Sequence, residues 1–242
     1  MNLSKNSIYS SIFLISVFLY ACKKDIVRST TASVVVVNAS PNSNGISFLQ
    51  NLKELGTFNY LTGLTASTNA ITIDSGFHNY KLRAGTNEIA NWLYANNGLN
   101  YSFFICDSAI SSRVKYFFVK DNLDTAGLRN RAYFRLIHVS PDIDSLEVIT
   151  NSKVNPANDS LLIGNLSYFG KFNQAQLETF GTFFPISGDS TITVKIKRKI
   201  NSSIAKTYQL RFSKQKIYSL VLKGYDARSG KDSLSLSIIT HN

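Results

Sequence analysis

Apolar residues along this chain come in short β-branched and aromatic runs broken by Gly, Pro, Asn, Asp and Ser, and no segment repeats them at the helical period. Such runs predict strands over residues 34–37, 46–49, 70–73, 79–83, 89–94, 101–105 and 115–119. They predict a second series over residues 134–139, 146–150, 191–200, 207–212, 217–222 and 234–240. Val34, Val35, Val36 and Val37 are uninterrupted, which is the pattern of a strand covered on both faces. Asn96-Asn97-Gly98 reads as the turn of a hairpin around the only tryptophan, Trp92.

The two series are related. Val34-Val35-Val36-Val37-Asn38-Ala39-Ser40-Pro41-Asn42 returns 100 residues later as Phe134-Arg135-Leu136-Ile137-His138-Val139-Ser140-Pro141-Asp142. Each copy has an apolar run, a proline that cannot donate to a ladder, and Ser and Asx side chains suited to a turn. A period of this size divides the chain into two β-sandwich domains, residues 33–123 and 132–242, with residues 124–131 as linker. Asp142, Asp144 and Glu147 invite a calcium reading, which needs six to eight oxygens. The first copy offers Asn42, Asn44 and Ser47 in their place, so a structural turn explains both copies better. Residues 59–69 and 151–160 read as loops.

The repeated strand, Ser-Pro-Asx and strand resembles domain of unknown function family 4397, in two tandem copies. The resemblance implies an immunoglobulin-like or transthyretin-like β-sandwich. It implies no enzyme activity.

The N-terminus changes the picture of where the chain works. Lys5 precedes an apolar stretch over residues 8–20, shorter than the ~20 residues a spanning helix needs. It ends in Leu19-Tyr20-Ala21-Cys22-Lys23-Lys24, which resembles the lipobox of bacterial lipoproteins and the start of mature Bacteroidota lipoproteins. The resemblance implies a signal peptide over residues 1–21 and acyl chains, palmitate among them, on Cys22. It further implies a tether over residues 22–32 and attachment to the outer membrane. Cys106, the other cysteine, then has no disulfide partner and sits in an apolar run.

Charge and chemistry narrow the function. The formal net charge is +11, and residues 192–231 hold eleven basic side chains against Asp226 alone. Lys195, Lys197 and Lys199 alternate with apolar residues and should share one face. That face is either a solvated guard against edge pairing or a contact for anionic lipid, phosphate or glycan. Six of the eleven aspartates begin Asp-Ser/Thr triplets whose third residue is apolar or Thr, and their hydroxyls are Ser108, Thr125, Ser145, Ser160, Ser190 and Ser233. The triplet resembles the O-glycosylation site of Bacteroidota envelope proteins, and it is equally turn chemistry.

His78, His138 and His241 show no metal spacing, and no nucleophile elbow or phosphate loop is present. The expectation is a non-catalytic envelope module with no metal and no cofactor. It would be held at the membrane by Cys22 and bind a glycan, envelope polymer or partner protein, not nucleic acid. Exposed aromatics would mark a sugar platform, and the candidates are Tyr60, Trp92, Tyr94, Tyr168 and Tyr208. A fimbrillin-like assembly subunit cleaved after Arg28 is the alternative, with an enzyme of unrecognised residues third.

Overall fold

The computed structural model describes residues 30–43, 45–62, 64–66, 70–107, 114–124, 130–151, 159–169 and 183–241. The first domain comprises β1 (Thr31–Asn38), β2 (Ile46–Gln50), β3 (Lys53–Phe58), β4 (Thr65–Ala66), β5 (Ala70–Asp74), β6 (Gly76–Ala84), β7 (Asn87–Ala95), β8 (Asn100–Cys106) and β9 (Lys115–Asp121). The second comprises β10 (Arg131–His138), β11 (Ser145–Asn151), β12 (Asp159–Ser167), β13 (Phe184–Ser187), β14 (Ser190–Arg198), β15 (Ile204–Phe212), β16 (Ile217–Lys223) and β17 (Ser235–Thr240). No α-helix occurs among the described residues, and the chain is all-β.

The two domains repeat one topology. The first pairs an outer sheet, β3-β2-β6-β7, with an inner sheet, β5-β1-β8-β9. The second has β12-β11-β14-β15 outside and β13-β10-β16-β17 inside. Each inner sheet is built on a central parallel pair, β1 with β8 and β10 with β16. The inner sheets pack on each other, so the layers run outer, inner, inner, outer.

This stacking explains the unbroken apolar strands. Val34 and Val36 point into the first domain's core with Phe48, Leu82 and Phe103. Val35 and Val37 point the other way, into a core shared with Ile137, Val139, Phe169, Val221 and Ile239 of the second domain. In β10, Phe134 and Leu136 enter the second domain's own core. With both faces covered, polar alternation has no place in these strands.

One inner position breaks the pattern. Arg135, the counterpart of Val35, is only 2% exposed at the domain interface. Its Nη1 lies 2.7 Å from Asp121 Oδ1. Its Nε donates to Ser219 Oγ and its Nη2 to Ser102 Oγ, both at 2.8 Å. Ser102 donates to Asp121 Oδ2 at 2.7 Å, and Ser219 lies 2.7 Å from His241 Nε2. The guanidinium also stands over the rings of Phe183 and Phe104, at 4.5 and 5.4 Å. Burial lowers the Arg135 pKa from its usual value, while Asp121 favours the charged form. A buried charge persists only with this degree of pairing. Asp121 is therefore the last residue of β9 and part of the interface rather than of a solvated connection.

Four expectations need correction. Asn96-Asn97-Gly98 joins β7 to β8 without making a hairpin, because the two strands belong to different sheets. β3 and β12 were not predicted, and β12 begins at Asp159 inside the expected 151–160 loop. The β2–β3 turn is Asn51-Leu52, both with positive φ (48° and 72°), and leucine gives no signal for such a turn. Within the expected 59–69 loop, Thr65 and Ala66 pair in parallel with Ile238 and Ile239, because β17 would otherwise leave a bare edge. β1 also starts at Thr31, two residues inside the expected tether, and Ala32 is buried.

Candidate functional site

The repeated Ser-Pro-Asx stretch closes each domain in the same way. Asn38 Oδ1 accepts from the Ser40 amide at 3.0 Å, and His138 Nδ1 accepts from the Ser140 amide at 3.3 Å. Ser40 Oγ donates to Asp107 O and Ser140 Oγ to Gly224 O, each at 2.6 Å, tying the turn to the end of the neighbouring parallel strand. Asn38 Nδ2 donates to Ser43 Oγ and Phe58 O. His138 Nε2 lies 3.0 Å from Ile143 O, so that nitrogen carries the proton. Burial pushes the His138 pKa down to about 4, which keeps the ring neutral. Asp142 Oδ2 accepts from the Ala227 amide. Among the described residues, no group of three or more His, Cys, Asp or Glu could hold a metal ion.

The residues singled out from the sequence are dispersed. Cys22, Arg28, Ser108 and Thr125 lie outside the described residues, and Ser160 falls in β12. Ser145 opens β11 and is half-buried. Ser190 Oγ and Ser233 Oγ each donate to the carbonyl three residues back, at 2.8 Å, as turn-forming serines do. Lys195 and Lys197 are half-buried along β14, and Lys197 Nζ is 3.2 Å from Glu147 Oε2. Lys199 follows the strand's end, beyond a register shift at Ile196/Lys197. Cys106 is fully buried in the core between the domains, and desolvation pushes its thiol pKa up.

The aromatic candidates separate cleanly. Tyr60 and Tyr168 are buried, at 9% and 7% exposure, and Tyr208 is half-buried against the second core. Trp92 and Tyr94 are 55% and 59% exposed. They stand two residues apart on β7, the edge strand of the first outer sheet, while Leu93 and Ala95 between and beyond them face the core. Phe77, which sequence reasoning missed, is 63% exposed on the adjacent β6, where it pairs with Tyr94. Its ring stacks on Trp92 with centroids 5.3 Å apart and planes 19° from parallel. The signal was available: Phe77 shares its strand parity with the polar Asn79, Lys81 and Arg83, opposite to the core-facing Tyr80 and Leu82.

Beside this ridge, the gap between edge strands β7 and β9 forms an open cleft of about 1120 Å³. Trp92 and Tyr94 line it together with Asn96, Asn100, Lys120, Asn122 and Asp124, and the buried Tyr101, Phe118 and Asp121 also belong to its lining. The ridge and the cleft are continuous through those two aromatics. Nothing in the fold requires aromatics there, because the second domain does without them. By register, Phe77, Trp92 and Tyr94 correspond to Thr191, Gln209 and Arg211.

Comparison with known proteins finds a family match over part of this chain. Residues 32–149 match the family model described as domain of unknown function (DUF4397). The DUF4397 match takes in the first domain, β10 and both Ser-Pro-Asx turns. No curated protein matches the chain. Among solved structures, a family CBM26 module (CBMbc) of Eubacterium rectale Amy13K, crystallised with maltoheptaose, aligns over 85% of this chain and 95% of its own. It is 8% identical with a TM-score of 0.26, too loose a likeness to bear on ligand or site.

Proposed function

We propose that this chain is a non-catalytic cell-envelope lipoprotein that binds glycan on the outer sheet of its first domain. The observation that carries the reading is the group of three exposed aromatics, Phe77, Trp92 and Tyr94, of which Trp92 and Tyr94 also line an open cleft. Exposed aromatics gathered in one place, instead of scattered singly, mark a binding surface. An aromatic face takes the apolar face of a sugar ring, while amides beside it take the hydroxyls. Lipidation of Cys22 would hold the module on the outer membrane, and the second domain would be a further copy of the DUF4397 domain. The residues that support anchoring are Leu19 to Cys22 and the Lys-Lys pair after them.

Affinity electrophoresis of the full chain through gels carrying polysaccharides tests the binding. The native protein should be retarded by at least one polysaccharide, and Trp92→Ala should weaken that retardation about tenfold or more. Free migration through every polysaccharide would remove the reading. Anchoring is tested separately: Cys22→Ala should release the protein from membranes, and intact mass should lose the acyl chains. The same mass measurement tests glycans at the Asp-Ser/Thr triplets. A fimbrillin-like role would need a removable strand, whereas β1 is held between β5 and β8 in the middle of its sheet.

A further inference from the structure

The proposed glycan site leaves open which class of glycan it takes, and the cleft lining bears on that question. We infer that the ridge and the β7–β9 cleft form one extended site for an uncharged polysaccharide, read by ring stacking and amide hydrogen bonds. This rests on the glycan reading above and narrows it.

The argument is one of chemistry and size. The cleft, at about 1120 Å³, exceeds the ~300–1,000 Å³ of ordinary small-molecule pockets and is open, so it suits a chain lying across it. Three of its polar side chains, Asn96, Asn100 and Asn122, are carboxamides. A carboxamide donates and accepts, which matches a hydroxyl in either role, and it holds a carboxylate less strongly than a cation does. The ionisable lining balances: Lys120 is set against Asp124, and Asp121 is committed to Arg135. A site for an acidic polymer would need clustered arginines or lysines, as phosphate and carboxylate sites have. Of the basic side chains on the same sheet, Lys81 and Arg83 are taken up by Glu88, at 2.5 and 3.1 Å, and Lys53 lies on β3 at the opposite edge from the cleft. The excess positive charge of the chain lies instead in residues 192–231, in the other domain.

The test sets neutral against acidic polymers. The full chain is run through gels of neutral glucan, mannan, xylan and galactan, and of alginate and heparin, at low and high sodium chloride. The expected result is retardation by a neutral polymer that changes less than about twofold with salt. Trp92→Ala should abolish it, Asn122→Ala should weaken it about three- to tenfold, and Lys120→Gln should change it less than about twofold. Melting curves confirm that each variant folds, and Gln209→Ala, at the counterpart of Trp92, serves as the unaffected control. Retardation by alginate or heparin only, falling steeply with salt and lost in Lys120→Gln, would overturn the uncharged class and leave the glycan reading standing. Loss in Trp92→Ala with no change in Asn122→Ala would overturn the role of the cleft. No retardation in any gel would overturn this inference and the glycan reading together.

Discussion

The outer sheets of the two domains have the same strand order and nearly the same register, and they present different chemistry. On the first, Phe77, Trp92 and Tyr94 project to solvent. On the second, Thr191, Gln209 and Arg211 occupy those register positions. The neighbouring pair does not differ in kind: Lys81 and Arg83 of β6 correspond to Lys195 and Lys197 of β14. Features that both copies carry belong to the scaffold, and those that one copy carries alone are candidates for function. Lys195 and Lys197 pass to the first class; the aromatics, and Arg211 in the place of Tyr94, fall in the second. A repeated fold thus supplies its own control, without any other protein being consulted.

The same comparison can be made inside the molecule, where Arg135 replaces the counterpart Val35. The largest effect we expect comes from removing that charge. Arg135→Met fills similar volume but strands the buried Asp121 carboxylate, and should cost about 3–5 kcal/mol in denaturant unfolding. Adding Asp121→Asn should recover more than half of the loss, because a neutral interface no longer holds an uncompensated charge. If the single and double variants are equally destabilised, packing rather than the ion pair governs this site.

Next in size is the difference between Asn38 and His138, which do one job with different titration behaviour. The unfolded imidazole titrates near 6.5 and the folded one near 4. Between those values the native state binds fewer protons than the unfolded state, so stability rises with pH and is lost as pH falls through the window. His138 alone should remove about 2–3 kcal/mol between pH 7 and pH 4.5. His241, also held down to about 4 by burial, adds to the loss in the same direction. His138→Asn, which copies the first domain, should flatten the dependence by about 2 kcal/mol while costing some stability at neutral pH. Thermal melts at the two pH values measure both numbers. An unchanged acid dependence in the variant would place the titration elsewhere.

These comparisons also show what could be read beforehand. The all-β class, the repeat, and most strands were legible because apolar runs and turn residues report burial directly. The reason Val34 to Val37 is continuous was not, since it needs the second domain's inner sheet as a cover. β3 escaped because an exposed edge strand such as Lys53-Glu54-Leu55-Gly56 buries little, and its hairpin turn uses leucine. Asp121 gave no sign of its role because its partner, Arg135, is brought to it only by domain packing. Of the site, Trp92 and Tyr94 were among five candidates, and strand parity could have added Phe77. Exposure of the tyrosines could not be read, because Tyr60 and Tyr168 lie in irregular segments with no period to assign a face.

The smallest effect tests the claim that the basic positions are scaffold. Lys197 and Glu147 are each about a quarter exposed and meet at 3.2 Å on the second outer sheet. A pair of that exposure contributes ~0–1 kcal/mol, since water screens it and two long side chains must be ordered. Lys197→Gln should therefore shift unfolding by no more than about 0.5 kcal/mol, and less in high salt. It should leave polysaccharide retardation unchanged, even when combined with Lys195→Gln and Lys199→Gln. The triple variant is the sharper probe, because it removes the face once expected to meet anions while the aromatic ridge in the other domain stays intact. If retardation in alginate or heparin gels disappears with the three lysines and survives Trp92→Ala, ligand binding belongs to the second domain. The aromatics would then be the incidental difference between the copies, and the lysines the functional one.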